Sequence, residues 1–172
     1  MVRLKQRYIL FEILYPPAED EQLFSNSPED ALLGLHQSSP ASINPQSLTR
    51  SIRKVIQDHF GDHGAGTAGL LIQVKYFSNK TSTGIVRCSR LSASTVVGAL
   101  TLIDNFDGEN VLIKVSRVSA TIKKCEQYSI QRSQQLMRLF KRSNKDDMQK
   151  FINNFENVKD DDEEDIIEAG DA

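Results

Sequence analysis

The residues between Lys75 and Cys88 have the types and spacing to hold a polyanion. Lys75, Lys80, Arg87 and Arg90 supply cations, Tyr76 and Phe77 supply stacking faces, and Asn79, Thr81 and Ser82 supply polar donors. Cations interleaved with aromatics and hydroxyls suit an RNA backbone and its splayed bases. A solvated hairpin with its aromatics in the core has the same composition, because charged strand faces are common. Two β-type runs, 70–77 and 83–90, flank the polar turn, and alternation lets only one of Tyr76 and Phe77 face a ligand.

Other chemistries find less support. Residues 64–69 match G-x-G-x-x-G, but a dinucleotide site needs a strand before the glycines and a helix after them, and here the order is reversed. That stretch is expected to be a flexible glycine-rich link. His59 and His63 are four apart, yet Gly61 between them should end their helix, and no third ligand is near in sequence. His36 looks like a helix-end residue without a nameable partner. Cys88 and Cys125 form neither a metal-type pair nor a disulfide framework, which suggests a reducing compartment. No nucleophile elbow, triad spacing or paired carboxylates stand out. A small ferredoxin-like enzyme therefore lacks a convergent catalytic set, and no cofactor is expected on the protein.

The elements that would position these residues can be read from periodicity. Residues 3–15 alternate, with Arg3, Lys5, Arg7, Ile9, Phe11 and Ile13 on one face and Tyr8, Leu10, Glu12 and Leu14 on the other. The upper half is apolar on both faces, as in a central strand, so Tyr8 and Tyr15 belong on opposite faces. Residues 18–44 read as a polar insertion loop holding one short helix, its leucines (Leu32, Leu33, Leu35) facing the body. Asn44 as N-cap and Pro45 after it open a helix with Leu48, Ile52, Val55, Ile56 and Phe60 on its core face, ending at Gly61. Ser92 caps a second helix with Val96, Ala99, Leu100 and Ile103 inward. A turn cluster at 104–108 precedes a strand over 111–119 and a last helix over 122–141. The order is that of a split βαβ sandwich, RRM-like or ferredoxin-like, of mixed α/β (α+β) class. It gives an antiparallel four-stranded sheet with helices on one face, plus a C-terminal helix. The other face of the sheet is expected to be free for RNA.

Charge is segregated along the chain. Residues 146–172 hold eleven acids and two lysines, whereas residues 1–145 hold nineteen bases and twelve acids. This predicts a basic domain at 1–145 and an acidic, disordered tail at 146–172. A basic body is an electrostatic footprint for polyanions. No apolar run approaches the roughly 20 residues that cross a bilayer, and the N-terminus lacks a signal-peptide pattern. Neither membrane association nor secretion is expected.

Three segments carry a family resemblance: Val-Arg-Leu-Lys-Gln-Arg-Tyr-Ile-Leu-Phe-Glu-Ile at 2–13, Lys-Tyr-Phe-Ser-Asn-Lys-Thr-Ser-Thr-Gly-Ile-Val-Arg-Cys at 75–88, and Val-Ser-Ala-Thr-Ile-Lys-Lys at 118–124. In this order they resemble the fungal Pop-five family, the small processing-of-precursors subunits shared by ribonuclease P and ribonuclease MRP. The likeness runs from Met1 to about residue 140 and weakens in the insertion. It implies a non-catalytic subunit of an RNA-based endonuclease that removes the 5′ leader of precursor tRNA and, in its MRP form, cuts precursor rRNA. It also implies catalysis by Mg2+ ions held by the partner RNA, a TIM-barrel-like protein subunit and other particle proteins as partners, and residence in the nucleus and nucleolus. The RNA contacts expected are Arg3, Lys5, Arg7, Lys75, Tyr76, Asn79, Lys80, Thr81, Arg87, Arg90, Lys123 and Lys124. One departure is Ala120, where the family pattern carries glycine. A protein–protein adaptor with little RNA contact is the alternative, marked by an exposed apolar patch around Val96, Leu136 and Met137.

Overall fold

The computed structural model describes residues 5–16, 32, 34–106 and 108–140, with side chains as far as Arg138. Arg3, Leu33, most of the 18–44 insertion and the acidic tail lie outside the described residues.

The chain runs β1 (Gln6–Leu14), α1 (Pro45–Ala68), a 3-10 turn (Gly69–Leu71), β2 (Gln73–Ser78), β3 (Thr83–Ser89), α2 (Ala93–Thr101), a two-residue hairpin of β4 (Asn105–Phe106) and β5 (Glu109–Asn110), β6 (Leu112–Ser119) and α3 (Ile122–Phe140). The main sheet has the order β2-β3-β1-β6 and is antiparallel throughout. This is the split βαβ arrangement, with β1 central and buried from Ile9 to Leu14.

The principal core lies between one face of this sheet and helices α1 and α2. Ile9, Phe11 and Ile13 of β1 meet Leu48, Ile52 and Ile56 of α1 and Val96, Ala99 and Leu100 of α2 there. Phe11 stacks on Phe77, with ring centroids 6.4 Å apart and planes 13° from parallel. Between their strands lies Gly84, where an added Cβ would meet Phe11 Cζ at 2.4 Å. The rings occupy the space that any side chain at position 84 would need.

Asn44 caps α1 as expected: its Oδ1 accepts from the amides of Gln46 and Ser47, and the Ser47 hydroxyl accepts from the Asn44 amide. Gly61 has φ 62°, yet the chain re-enters the helix and continues to Ala68. The stretch expected to be a flexible link is therefore helical. Gly64 is buried in the kink, where a Cβ would lie 2.4 Å from that of Phe60. Phe60, just before the bend, is 38% exposed and sets its ring against Gly98 of α2. Ser92 is buried but makes no cap; its hydroxyl donates to the Ser89 carbonyl at 3.4 Å.

The second correction concerns the face expected to be free. Helix α3 packs across it on β1 and β6. Leu10 and Ile85 from the sheet enclose Cys125, with Tyr8, Tyr76, Ile122 and Tyr128 around them. An amphipathic helix buries its apolar stripe wherever a sheet offers a matching one. Ala120, just before α3, keeps a negative φ, since Ser82 is the sole non-glycine residue with positive φ among those described. Alanine in place of the family glycine is thus accommodated without strain. Among the described residues no helix is long and apolar enough to cross a membrane.

Candidate nucleic-acid interface

Strand register sorts the expected contacts into two groups. In β3, Ser89 pairs with Gln6 at one end and Thr83 with Glu12 at the other. Six residues of antiparallel strand separate these ends by about 20 Å. The β1 start, the β3 end, the β6 end and the first turn of α3 share the first end. Lys5, Arg7, Arg87, Arg90, Lys123 and Lys124 share that end, with Arg7, paired to Cys88, on the α1–α2 face and Arg87, paired to Tyr8, on the α3 face. The Arg90 amide donates to the Lys5 carbonyl at 2.9 Å, which fixes the two chain segments side by side. Lys75 sits at the register shift of β2, one residue from Val74.

Within this cationic end Lys5, Arg90, Lys123 and Lys124 are exposed, while Arg7 and Arg87 are half-buried. Arg87 donates to Gln73 Oε1 at 3.0 Å, and Arg7 donates to the Gln6 carbonyl at 2.9 Å. Arg117, absent from the sequence-based set, lies on β6 with its guanidinium carbon 5.0 Å from the centre of the Tyr128 ring. Such stacking holds a planar cation in a fixed orientation. Its signal in the sequence was only a cation on an alternating strand.

Tyr76 and Phe77 divide as alternation requires. Phe77 joins the principal core, and Tyr76 is half-buried against the α3 side. Tyr15 and Tyr8 divide likewise.

The β2–β3 turn forms the second group, and much of its polarity is structural. Asn79 donates both side-chain hydrogens, to the carbonyls of Pro40 at 2.7 Å and Ile43 at 2.8 Å. Ser82 is buried and sits in a chain of hydroxyls: Tyr15 donates to Ser39 at 2.8 Å, Ser39 to Ser82 at 2.9 Å, and Ser82 to the Gln37 carbonyl. These bonds clamp the turn onto residues 37–43. Lys80 is exposed and Thr81 half-buried at the surface of the clamp.

Next to this turn stands a charged group that sequence reading missed. Glu12 is 7% exposed. Its Oε1 accepts from Arg132 Nε at 2.6 Å and from the Ser116 hydroxyl at 2.8 Å. Burial alone would raise the Glu12 pKa, but the His36 ring, the Ser116 hydroxyl and the Arg132 guanidinium outweigh it and hold the carboxyl at about 2. His36, which had no nameable partner, places Nε2 3.8 Å from Glu12 Oε2.

Neither thiol is poised for chemistry. Burial pushes Cys88 up to about 11 and raises Cys125 as well. Among the described residues no cluster of three or more His, Cys, Asp or Glu could hold a metal ion. Val96 is fully buried and Leu136 and Met137 are half-buried, so the apolar patch that would mark an adaptor is not exposed at Val96.

Comparison with known proteins adds to this geometry. The family model described as Rpp14/Pop5 matches residues 7–130. The ribonuclease P/MRP protein subunit POP5 of Saccharomyces cerevisiae is 40% identical over 162 residues, which cover 92% of this chain and 94% of that protein. The protein of the same description from Schizosaccharomyces pombe is 43% identical over 133 residues, covering 77% of this chain and 88% of the relative. Ribonuclease P protein component 2 of Pyrococcus furiosus is 41% identical over 59 residues, covering 34% of this chain and 49% of its own. The span matched by the family model includes all of the sheet but its first residue, Gln6, together with α1 and α2, and this chain belongs to the Rpp14/Pop5 family.

Proposed function

We propose that the chain is a non-catalytic subunit of ribonuclease P and ribonuclease MRP, holding their RNA in a cleavage-competent fold. The observation that carries this reading is the placement of Lys5, Arg7, Arg87, Arg90, Lys123 and Lys124 at one end of the sheet in a member of this family. Cations on rigid strand and helix ends neutralise phosphates with little ordering cost, and each contact releases counterions. In this reading hydrolysis belongs to Mg2+ ions bound by the RNA, so the chain needs no catalytic groups. The particle removes 5′ leaders from precursor tRNA and processes precursor rRNA. A TIM-barrel-like subunit and other particle proteins are its protein neighbours, and the nucleus and nucleolus are its location.

The test is the salt dependence of binding between the purified full chain and a structured RNA. The slope of log affinity against log salt is expected to be steep, and to lose about 0.7–0.9 for each phosphate-contacting cation neutralised. Lys123→Ala and Arg90→Ala should each flatten it. A flat slope for the parent chain would overturn the reading in favour of a protein–protein adaptor.

A further inference from the structure

We propose that the polar cavity between the β2–β3 turn and α3 is a ribonucleotide site in which Glu12 and His36 recognise a ribose 2′-hydroxyl. The inference rests on the RNA-binding reading above and extends it to a specific site. The cavity measures about 90 Å3 and is bounded by Glu12, His36, Lys80, Thr83, Arg132 and Ser133. It is several times larger than the roughly 10–15 Å3 that one water requires.

The hydrogen-bond inventory of Glu12 defines what the cavity can take. Its Oε1 is occupied by Arg132 and Ser116, whereas Oε2 is buried and, among the described residues, accepts no hydrogen bond of ordinary length, with His36 Nε2 3.8 Å away. His36 Nε2 is also buried and makes no hydrogen bond among the described residues. His36 Nδ1 lies 2.7 Å from the Leu32 carbonyl. A carbonyl only accepts, so Nδ1 carries a hydrogen and the ring is held with Nε2 toward Glu12. Two buried polar atoms facing each other at 3.8 Å are costly unless a third group serves both.

The chemistry of that third group is constrained from each side. A carboxylate oxygen only accepts, so a bare phosphate oxygen against Oε2 would be repelled. A metal cation is opposed by the Arg132 guanidinium, 2.6 Å from the same carboxylate. A hydroxyl fits: an oxygen about 2.8 Å from each atom closes a triangle on the 3.8 Å base. It can donate to Glu12 Oε2 and, where Nε2 carries a hydrogen, accept from His36. Lys80, exposed and lining the same cavity, adds positive charge that favours a phosphate adjoining that hydroxyl. A hydroxyl beside a phosphate is the feature by which a protein distinguishes RNA from DNA.

The test compares binding of the full chain to a short mixed-sequence single-stranded RNA and to the DNA of the same sequence. The expected preference for RNA is about 10-fold, the effect of one hydrogen bond to a charged group. His36→Ala, with its fold verified by circular dichroism, should bring the two affinities together. Lys123→Ala, at the other end of the sheet, should weaken both equally and keep their ratio. Because Glu12→Ala removes a buried ion pair and can unfold the chain, His36→Ala is the decisive variant. Equal affinity for RNA and DNA in the parent, or an unchanged preference in His36→Ala, would overturn this site while leaving the RNA-binding reading intact. The Glu12 oxygen would then fall to a donor from a protein partner. Absence of binding to either probe would overturn both.

Discussion

Arg132→Met tests how α3 is held on the sheet. In the parent chain Glu12 is held at about 2 against an ordinary value of 4.5. Each unit of such a shift corresponds to about 1.4 kcal/mol, so ionised Glu12 favours the fold by about 3 kcal/mol. The pKa is lowered on folding, so this contribution is complete above the unfolded value near 4.5 and is lost as pH falls through about 2. Removing the guanidinium leaves a buried carboxylate with the Ser116 hydroxyl and the His36 ring. Breaking a buried ion pair costs about 3–5 kcal/mol, and the 23% exposure of the Arg132 side chain reduces this to about 2–4 kcal/mol. Urea denaturation at neutral pH should show that loss, and the gap between variant and parent should narrow on acidification toward about pH 2. Replacing both partners, Glu12→Leu with Arg132→Met, should restore stability to within about 1 kcal/mol of the parent, because no uncompensated charge remains. A single variant within about 0.5 kcal/mol of the parent at neutral pH, or a gap that does not change with pH, would refute the reasoning.

Gly84→Ala places a Cβ 2.4 Å from Phe11 Cζ and 3.0 Å from Phe77 Cδ2, and should destabilise the fold by about 1–3 kcal/mol in thermal or urea melts. Asn79→Ala removes the side-chain donor to the Ile43 carbonyl and one of two donors to the Pro40 carbonyl, which keeps the Ile43 amide at 3.1 Å; a loss of about 1–3 kcal/mol is expected, with faster proteolysis of the 37–43 segment. Cys88 and Cys125 are buried, with raised pKa values. Both should react with a thiol reagent in native buffer far more slowly than in denaturant, and equal rates would contradict the packing of Cys125, on α3, against Leu10 and Ile85 of the sheet.

What could be read from the sequence was local. The alternation of residues 6–14, the Asn44–Pro45 helix start and the polar turn at 79–82 are each decided by residues a few positions apart, and all three occur as expected. The position of α3 was not legible, because its inward stripe carries Ser129 and Arg132 beside Cys125 and Tyr128. Arg132 becomes intelligible only once Glu12, 120 residues away, is opposite it. Glu12 in turn was only one polar position on the second face of an alternating strand, with nothing local to name its partner. The donors of Asn79 and Ser82 suggested ligand contacts, but they bond residues 37–43 of the same chain, and residue type alone does not distinguish the two uses. The cationic residues were visible individually. Their division between two ends of the sheet follows from strand register, which no single strand contains.

The account depends on a cationic α/β sandwich that holds structured RNA within a ribonucleoprotein. Affinity purification of the tagged full chain from its own cells, followed by sequencing of the co-purifying RNA, tests this most directly. The account predicts strong enrichment of the ribonuclease P and ribonuclease MRP RNAs, reduced when Arg87, Arg90, Lys123 and Lys124 are changed together to glutamate. Recovery of protein partners with no enriched RNA, or enrichment that survives this charge reversal, would contradict it.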